Sequence, residues 1–246
     1  MSDKNQISIK KYDNYIVASL NGNVIRPEQI YHDLVSVVDE INTNKNIWAV
    51  GFDLRSTKQI SNMESAEHLL NYSMTSLILN IKKPVIGLVN GEVSNRLLEF
   101  ILPMDYRIAG TNSSFKMSQM FQEKMQFDGA TQLLPRIIGL NKSKEMMMFG
   151  GTYDSSQAYN LGLINLVVDK TKLESSLFTK LDLLVKQSPL AIQFTKSAIN
   201  FNSNTNTVRG MDMENDLYSI LLSSKDRKKS IDAIKSKNKP NSFSSE

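Results

Sequence analysis

Glu99 stands in Leu97-Leu98-Glu99-Phe100-Ile101-Leu102, a helical stretch that is otherwise apolar. A lone carboxyl in such surroundings is partly desolvated, and desolvation raises its pKa toward the range where it can give and take protons near neutrality. A carboxyl of that kind, placed next to a substrate carbon, contributes roughly 10²–10⁴-fold to rate as general acid or base. Arg96 lies three residues back on the same helical face, so an ion pair is the other use of the same two side chains. The histidines offer less. His32 falls on the polar side of its helix and reads as solvated, and His68 on a second helix reads as a surface residue or a catalytic one. Met117, Met120 and Met125, with Met146 to Met148, either line an adaptable apolar pocket or fill the core.

Several chemistries are excluded. The chain has no cysteine, which rules out a disulfide scaffold, a thiolate zinc site and a cysteine nucleophile. It has no Gly-rich phosphate loop, no metal-ligand cluster and no nucleophile elbow, so neither a metal nor a resident cofactor is expected. Its 246 residues, 41% hydrophobic and 22% charged, suit one soluble domain with a helical appendage. Apolar runs such as Leu97 to Leu102 are too short to cross a bilayer, and Met1 to Asp13 lacks the apolar stretch of a signal peptide. A cytoplasmic location and no membrane partner follow by default. A net charge of +4 permits a nucleic acid or a phosphorylated ligand without demanding either. Much of the excess lies on Lys225, Arg227, Lys228, Lys229, Lys235, Lys237 and Lys239. That segment is a phosphate clamp or a solvated face, and the lack of aromatic residues among the lysines argues against nucleic acid.

The elements that must position these residues are legible from periodicity. Ile16 to Leu20 reads as a strand, and Ile30, Leu34, Val37, Val38 and Ile41 recur at helical spacing between about Glu28 and Asn42. Ile47 to Phe52 is a buried strand. A second helix starts near Ser61 or Asn62 and carries Leu69, Leu70, Met74, Leu77 and Ile78 inward. Pro84 to Val89 is another buried strand, followed by a helical stretch from Ser94 to Leu102 and a strand from Tyr106 to Ala109. Alternation of this kind predicts an α/β fold with a parallel sheet and right-handed crossovers. Beyond about residue 140 the pattern turns helical, over 143–149, 155–160, 172–186, 189–199, 208–222 and 226–237, with one short strand at Ile164 to Val168.

Lys83-Pro84-Val85-Ile86-Gly87-Leu88-Val89-Asn90-Gly91 resembles a stretch of the crotonase (enoyl-CoA hydratase/isomerase) family. The likeness continues in order through Asp105-Tyr106-Arg107-Ile108-Ala109, Thr131 to Gly139, Ala158 with Leu161 to Asn165 and Val167-Val168, Ser188 to Ala191 with Thr195-Lys196, and Ser224 to Pro240. It covers roughly residues 30 to 240. The resemblance implies a spiral of ββα turns over about residues 1–190, and C-terminal helices over 191–246 that assemble homotrimers or dimers of trimers. It also implies an acyl-CoA or acyl-carrier-protein thioester as ligand, with coenzyme A present only as part of the substrate.

Family enzymes hold the thioester carbonyl between two backbone N–H groups and move protons with one or two glutamates. Preorganised donors of that kind are worth roughly 3–4 kcal/mol each. Carried over by position, Glu99 is the first glutamate, while the second falls on Gln119, whose amide cannot transfer a proton. Glu123 and Asp128 are alternative carboxylates that read more readily as surface charges. The family's glycines before the first glutamate are replaced by Asn95-Arg96-Leu97, with Arg96 at the position of one N–H donor. Its guanidinium either turns to solvent or Glu99, or enters the pocket and binds a carboxylate or phosphate. Two placements compete for the other donor. Gly51-Phe52-Asp53-Leu54 copies the motif and makes Phe52 the donor, whereas strand alignment puts Ser61-Asn62-Met63-Glu64-Ser65 there, with Met63 against the substrate. Lys225 and Lys239 then fall where coenzyme A phosphates would bind. With a single glutamate, double-bond isomerisation or decarboxylation suits the site better than water addition, and a non-catalytic homologue that binds a thioester or a partner protein explains the same departures.

Overall fold

The computed structural model describes residues 6–22, 24–60, 72–202, 206–235 and 243. The N-terminal segment, read from sequence only for its charges, supplies an edge strand β1 (Ile7–Lys11), antiparallel to β2 (Tyr15–Leu20) with Ile7 opposite Leu20. A two-residue strand β3 (Val24–Ile25) leads into helix α1 (Pro27–Thr43). Ile30, Leu34, Val37, Val38 and Ile41 of α1 are all buried, as their 3.6-residue spacing requires.

Strands β4 (Ala49–Asp53), β5 (Gln59–Ile60), β6 (Val85–Val89), β7 (Glu92–Ser94), β8 (Tyr106–Gly110) and β9 (Ser114–Lys116) come in pairs. The first of each pair joins the main sheet, ordered β1-β2-β4-β6-β8-β11, where β11 is Leu166–Val168. The second enters a smaller sheet: β5 pairs with β3, and β7 with β9, alongside β10 (Tyr153–Asp154). Between pairs lie short helices, α2 (Met74–Leu79) after β5 and α3 (Arg96–Ile101) after β7. Every strand of the main sheet beyond β1 is parallel to its neighbour. Each ββα turn therefore stacks on the last. The short second strands carry too few residues to show a period of two, which is why sequence reading finds only the first of each pair.

β6 is buried at every position because both faces of the sheet are covered. On one face Leu173, Leu177 and Leu181 of α7 (Leu173–Leu184) pack on Ala49, Ile86, Leu88 and Ile108. On the other, α1, α2 and α3 enclose the larger core around Phe52, Phe100 and Leu98. Helices α4 (Ala130–Ile138), α5 (Leu140–Phe149) and α6 (Ser155–Asn160) close the spiral. The chain ends in α8 (Pro189–Asn202), α9 (Thr207–Ser223) and α10 (Lys225–Lys235). α9 buries none of its residues. No helix of the described residues is long and apolar enough to cross a membrane.

Candidate active site at the start of α3

Between β7 and α3 the chain makes a sharp turn at Asn95, with φ 50° and ψ −120°. Only glycine enters this part of backbone space freely, so an L-residue there is held by its surroundings. The Asn95 N–H donates to Lys116 O at 3.1 Å, and its Oδ1 accepts from Ser118 N at 2.7 Å and Ser118 Oγ at 3.2 Å. The side chain thus ties the start of α3 to the exit of β9. Arg96 follows as the first helical residue, and its backbone N–H is one of the helix-start donors with no intrahelical acceptor.

Arg96 and Glu99 both point inward. Arg96 is 1% and Glu99 0% exposed. The guanidinium lies over the Phe127 ring, 4.6 Å from its centroid, and Nη2 stands 3.5 Å from Asp128 Oδ2. Asp128, read from sequence as a surface charge, is 3% exposed and belongs to this cluster. It is fixed from the other side by Ser73, the N-cap of α2, whose Oγ lies 2.6 Å from Oδ1, and by Thr75 N at 3.4 Å from Oδ2. Thr75 Oγ1 also donates to Glu99 O at 3.3 Å. Gly129, at φ 93°, lets the backbone come this close, since a Cβ there would sit 3.0 Å from Thr75 Cγ2. Glu123 is exposed and takes no part.

The electrostatics follow from burial. Neither Glu99 oxygen has a good hydrogen bond, although the N–H groups of Phe127 and Asp128 face it. Desolvation, helped by the Asp128 charge and opposed by Arg96, pushes the Glu99 carboxyl up to about 8. Burial likewise pushes the Arg96 guanidinium down, against the pull of Asp128. At neutral pH Glu99 therefore holds its proton, beside a cation paired with Asp128.

Gln119 opens the 3-10 turn Gln119–Gln122, one residue beyond the Ser118–Asn95 junction, and is 3% exposed. Its Oε1 accepts from Gln126 Nε2 at 3.4 Å. The structure corrects the reading of Phe52 as a free donor. Val50 N–H bonds Pro84 O and Leu54 N–H bonds Leu88 O, so the Phe52 N–H, between them on β4, faces the same ladder. Its ring is core, edge-on to Phe100 at 6.0 Å. The competing placement, Ser61 to Ser65 with Met63, lies outside the described residues, as do His68 and Lys239. Lys225 is exposed at the first position of α10. Met117, Met146 and Met147 fill core, whereas Met120, Met125 and Met148 are exposed. His32 is exposed on α1. No group of three or more His, Asp or Glu able to hold a metal occurs among the described residues.

A cavity of about 1290 Å³ lies elsewhere, lined by Trp48, Pro84, Asp105, Arg136, Lys196 and Ile199 among others. Trp48, Pro84 and Asp105 precede β4, β6 and β8, so it opens at the amino ends of the strands. Ligands of parallel sheets bind at the carboxyl ends, where Asn95 and Arg96 follow β6 and β7.

A sequence model described as enoyl-CoA hydratase/isomerase matches residues 29–245. The chain belongs to that family. The enoyl-CoA isomerase/hydratase of Mycosarcoma maydis is 30% identical over 202 residues, covering 81% of this chain and 74% of its own. The crotonyl-CoA hydratase of Syntrophomonas wolfei is 28% identical over 198 residues, covering 80% and 76%. A crystal structure of an enoyl-CoA hydratase from Bacillus anthracis superposes with a TM-score of 0.91 at 24% identity, covering 98% of this chain and all of that one. The expected ββα spiral is thereby confirmed. In this chain the carboxyl at position 99 lies among the Arg96 guanidinium, the Asp128 carboxylate and the backbone N–H groups of Phe127 and Asp128.

Proposed function

We propose that the protein is an enzyme acting on an acyl thioester, of coenzyme A or a carrier protein, with Glu99 as its single proton carrier. The observation that carries this is the Glu99 carboxyl itself, wholly buried, without a well-formed hydrogen bond and pushed up to about 8. A structural carboxylate would be bonded or paired; Asp128, which is, plays that part. The Arg96 N–H then donates to the thioester carbonyl, and the Gln119 amide orients substrate.

One proton carrier supports two reactions. In decarboxylation the C–C bond to a substrate carboxylate breaks, carbon dioxide leaves, and the electron pair passes to the enolate oxygen. Glu99 then gives its proton to the α-carbon and regains one from water. Double-bond isomerisation needs the ionised Glu99 first, so its rate should rise as pH passes through about 8. The C-terminal helices, from about residue 191, are read as the assembly surface of a homotrimer or dimer of trimers, with the apolar Val208, Met211, Tyr218 and Ile220 more than half exposed on α9.

The test is turnover of crotonyl-CoA, 3-enoyl-CoA and malonyl-CoA by wild type and Glu99→Gln. Loss of at least 10²-fold in the variant, with thioester affinity kept, is expected; unchanged turnover removes Glu99 from the chemistry. A second reading has its own observation. Arg96, three residues before Glu99, is itself buried with its guanidinium over the Phe127 ring, as expected of a homologue that binds a thioester or partner without turning it over. Binding without turnover by wild type would favour it.

A further inference from the structure

Arg96 presents more donors than its surroundings use. It is 1% exposed, and Nε, Nη1 and Nη2 have no hydrogen-bond acceptor among the described residues. A guanidinium carries five N–H donors and does not give up its charge in a protein, so each idle donor is a desolvation cost that folding alone does not recover. Asp128 balances the charge but does not satisfy the donors. At 3.5 Å the pair is too long for a charge-assisted hydrogen bond, and the Asp128 oxygens are already engaged by Ser73 and Thr75. The Phe127 ring beneath the guanidinium carbon supplies a π-face and no oxygen or nitrogen acceptor for its N–H groups. Glu99, three residues along the same helix, has both oxygens idle as well.

We infer that the acyl group held at this site carries a carboxylate of its own, received by the Arg96 guanidinium. The inference rests on the thioester reading above and names its substrate class. A carboxylate matches the fork with two coplanar oxygens. A thioester carbonyl offers one oxygen and leaves most donors idle. A phosphate dianion would bring two negative charges to a cluster in which Arg96 already balances Asp128; a carboxylate brings one. Phe127, 36% exposed on the 123–129 loop, is a part of the enclosure that reaches solvent.

The test is calorimetric binding of two matched pairs to the full chain: malonyl-CoA against propionyl-CoA, and glutaryl-CoA against valeryl-CoA. In at least one pair the carboxylated member should bind ten times more tightly, and Arg96→Gln should reduce that preference below threefold. Asp128→Asn should raise it, because the guanidinium loses its resident counter-charge; this variant serves if Arg96→Gln fails to fold. A smaller preference in both pairs, or one that survives in Arg96→Gln or fails to rise in Asp128→Asn, overturns the inference. Should the uncharged thioesters bind without any preference, only the carboxylate is lost. Should no thioester bind, the functional reading falls with it.

Discussion

Glu99 pays for its position in stability, and the sign of that effect can be read from pH. Its folded-state pKa is about 8, above the ordinary 4.5. Between those values the folded protein holds a proton that the unfolded chain has released, so stability is fullest below pH 4.5 and declines as pH rises through 8. Glu99→Gln keeps the shape and removes the titration. In urea unfolding the variant should gain on wild type between pH 4.5 and pH 8 by on the order of 3–5 kcal/mol, at about 1.4 kcal/mol for each pH unit between the folded and unfolded values. A gap that does not change with pH would mean that Glu99 is ionised in the folded state. Asp128 shows the limit of sequence at this scale. An aspartate before Gly129-Ala130 carries no local mark of burial, because what buries it is Ser73 and Thr75 from α2, 55 and 53 residues away.

At the scale of elements, the turn from β7 into α3 is where backbone strain and the proposed carbonyl donor coincide. Asn95 takes a glycine's conformation and offsets the strain with two bonds from Ser118. Asn95→Gly and Asn95→Ala both lose those bonds, so the difference between them reads the backbone alone. Glycine should be the more stable by about 1–2 kcal/mol in denaturant unfolding; equal stabilities would show a relaxed turn. The helices and main-sheet strands were legible because their apolar residues repeat at 3.6, as in α1, or run unbroken, as in β6. The small sheet was not, since β5, β7, β9 and β10 owe their existence to pairing across long sequence separations. Phe52, one of the two placements that compete for the second donor, shows a related effect: Gly51-Phe52-Asp53-Leu54 copies the letters of a donor loop while the sheet claims its backbone.

For the whole molecule, α9 is the element that the single chain leaves unexplained. A helix of 17 residues that buries none of them, yet carries Val208, Met211, Tyr218 and Ile220, gains little from tertiary packing as a monomer. Glu substituted for Met211 and Tyr218 together should shift the sedimenting species to monomer and lower its melting temperature; a species unchanged in mass would place the assembly surface elsewhere. In the proposed function the decisive step is proton exchange between Glu99 and the carbon next to a thioester. Butyryl-CoA, which has no double bond to move and no carboxylate to lose, isolates that step when incubated with the enzyme in deuterium oxide and followed by mass spectrometry. Wild type should wash deuterium into the α-position and Glu99→Gln should not. Bound butyryl-CoA that gains no label with wild type, or gains it equally with the variant, would contradict the account.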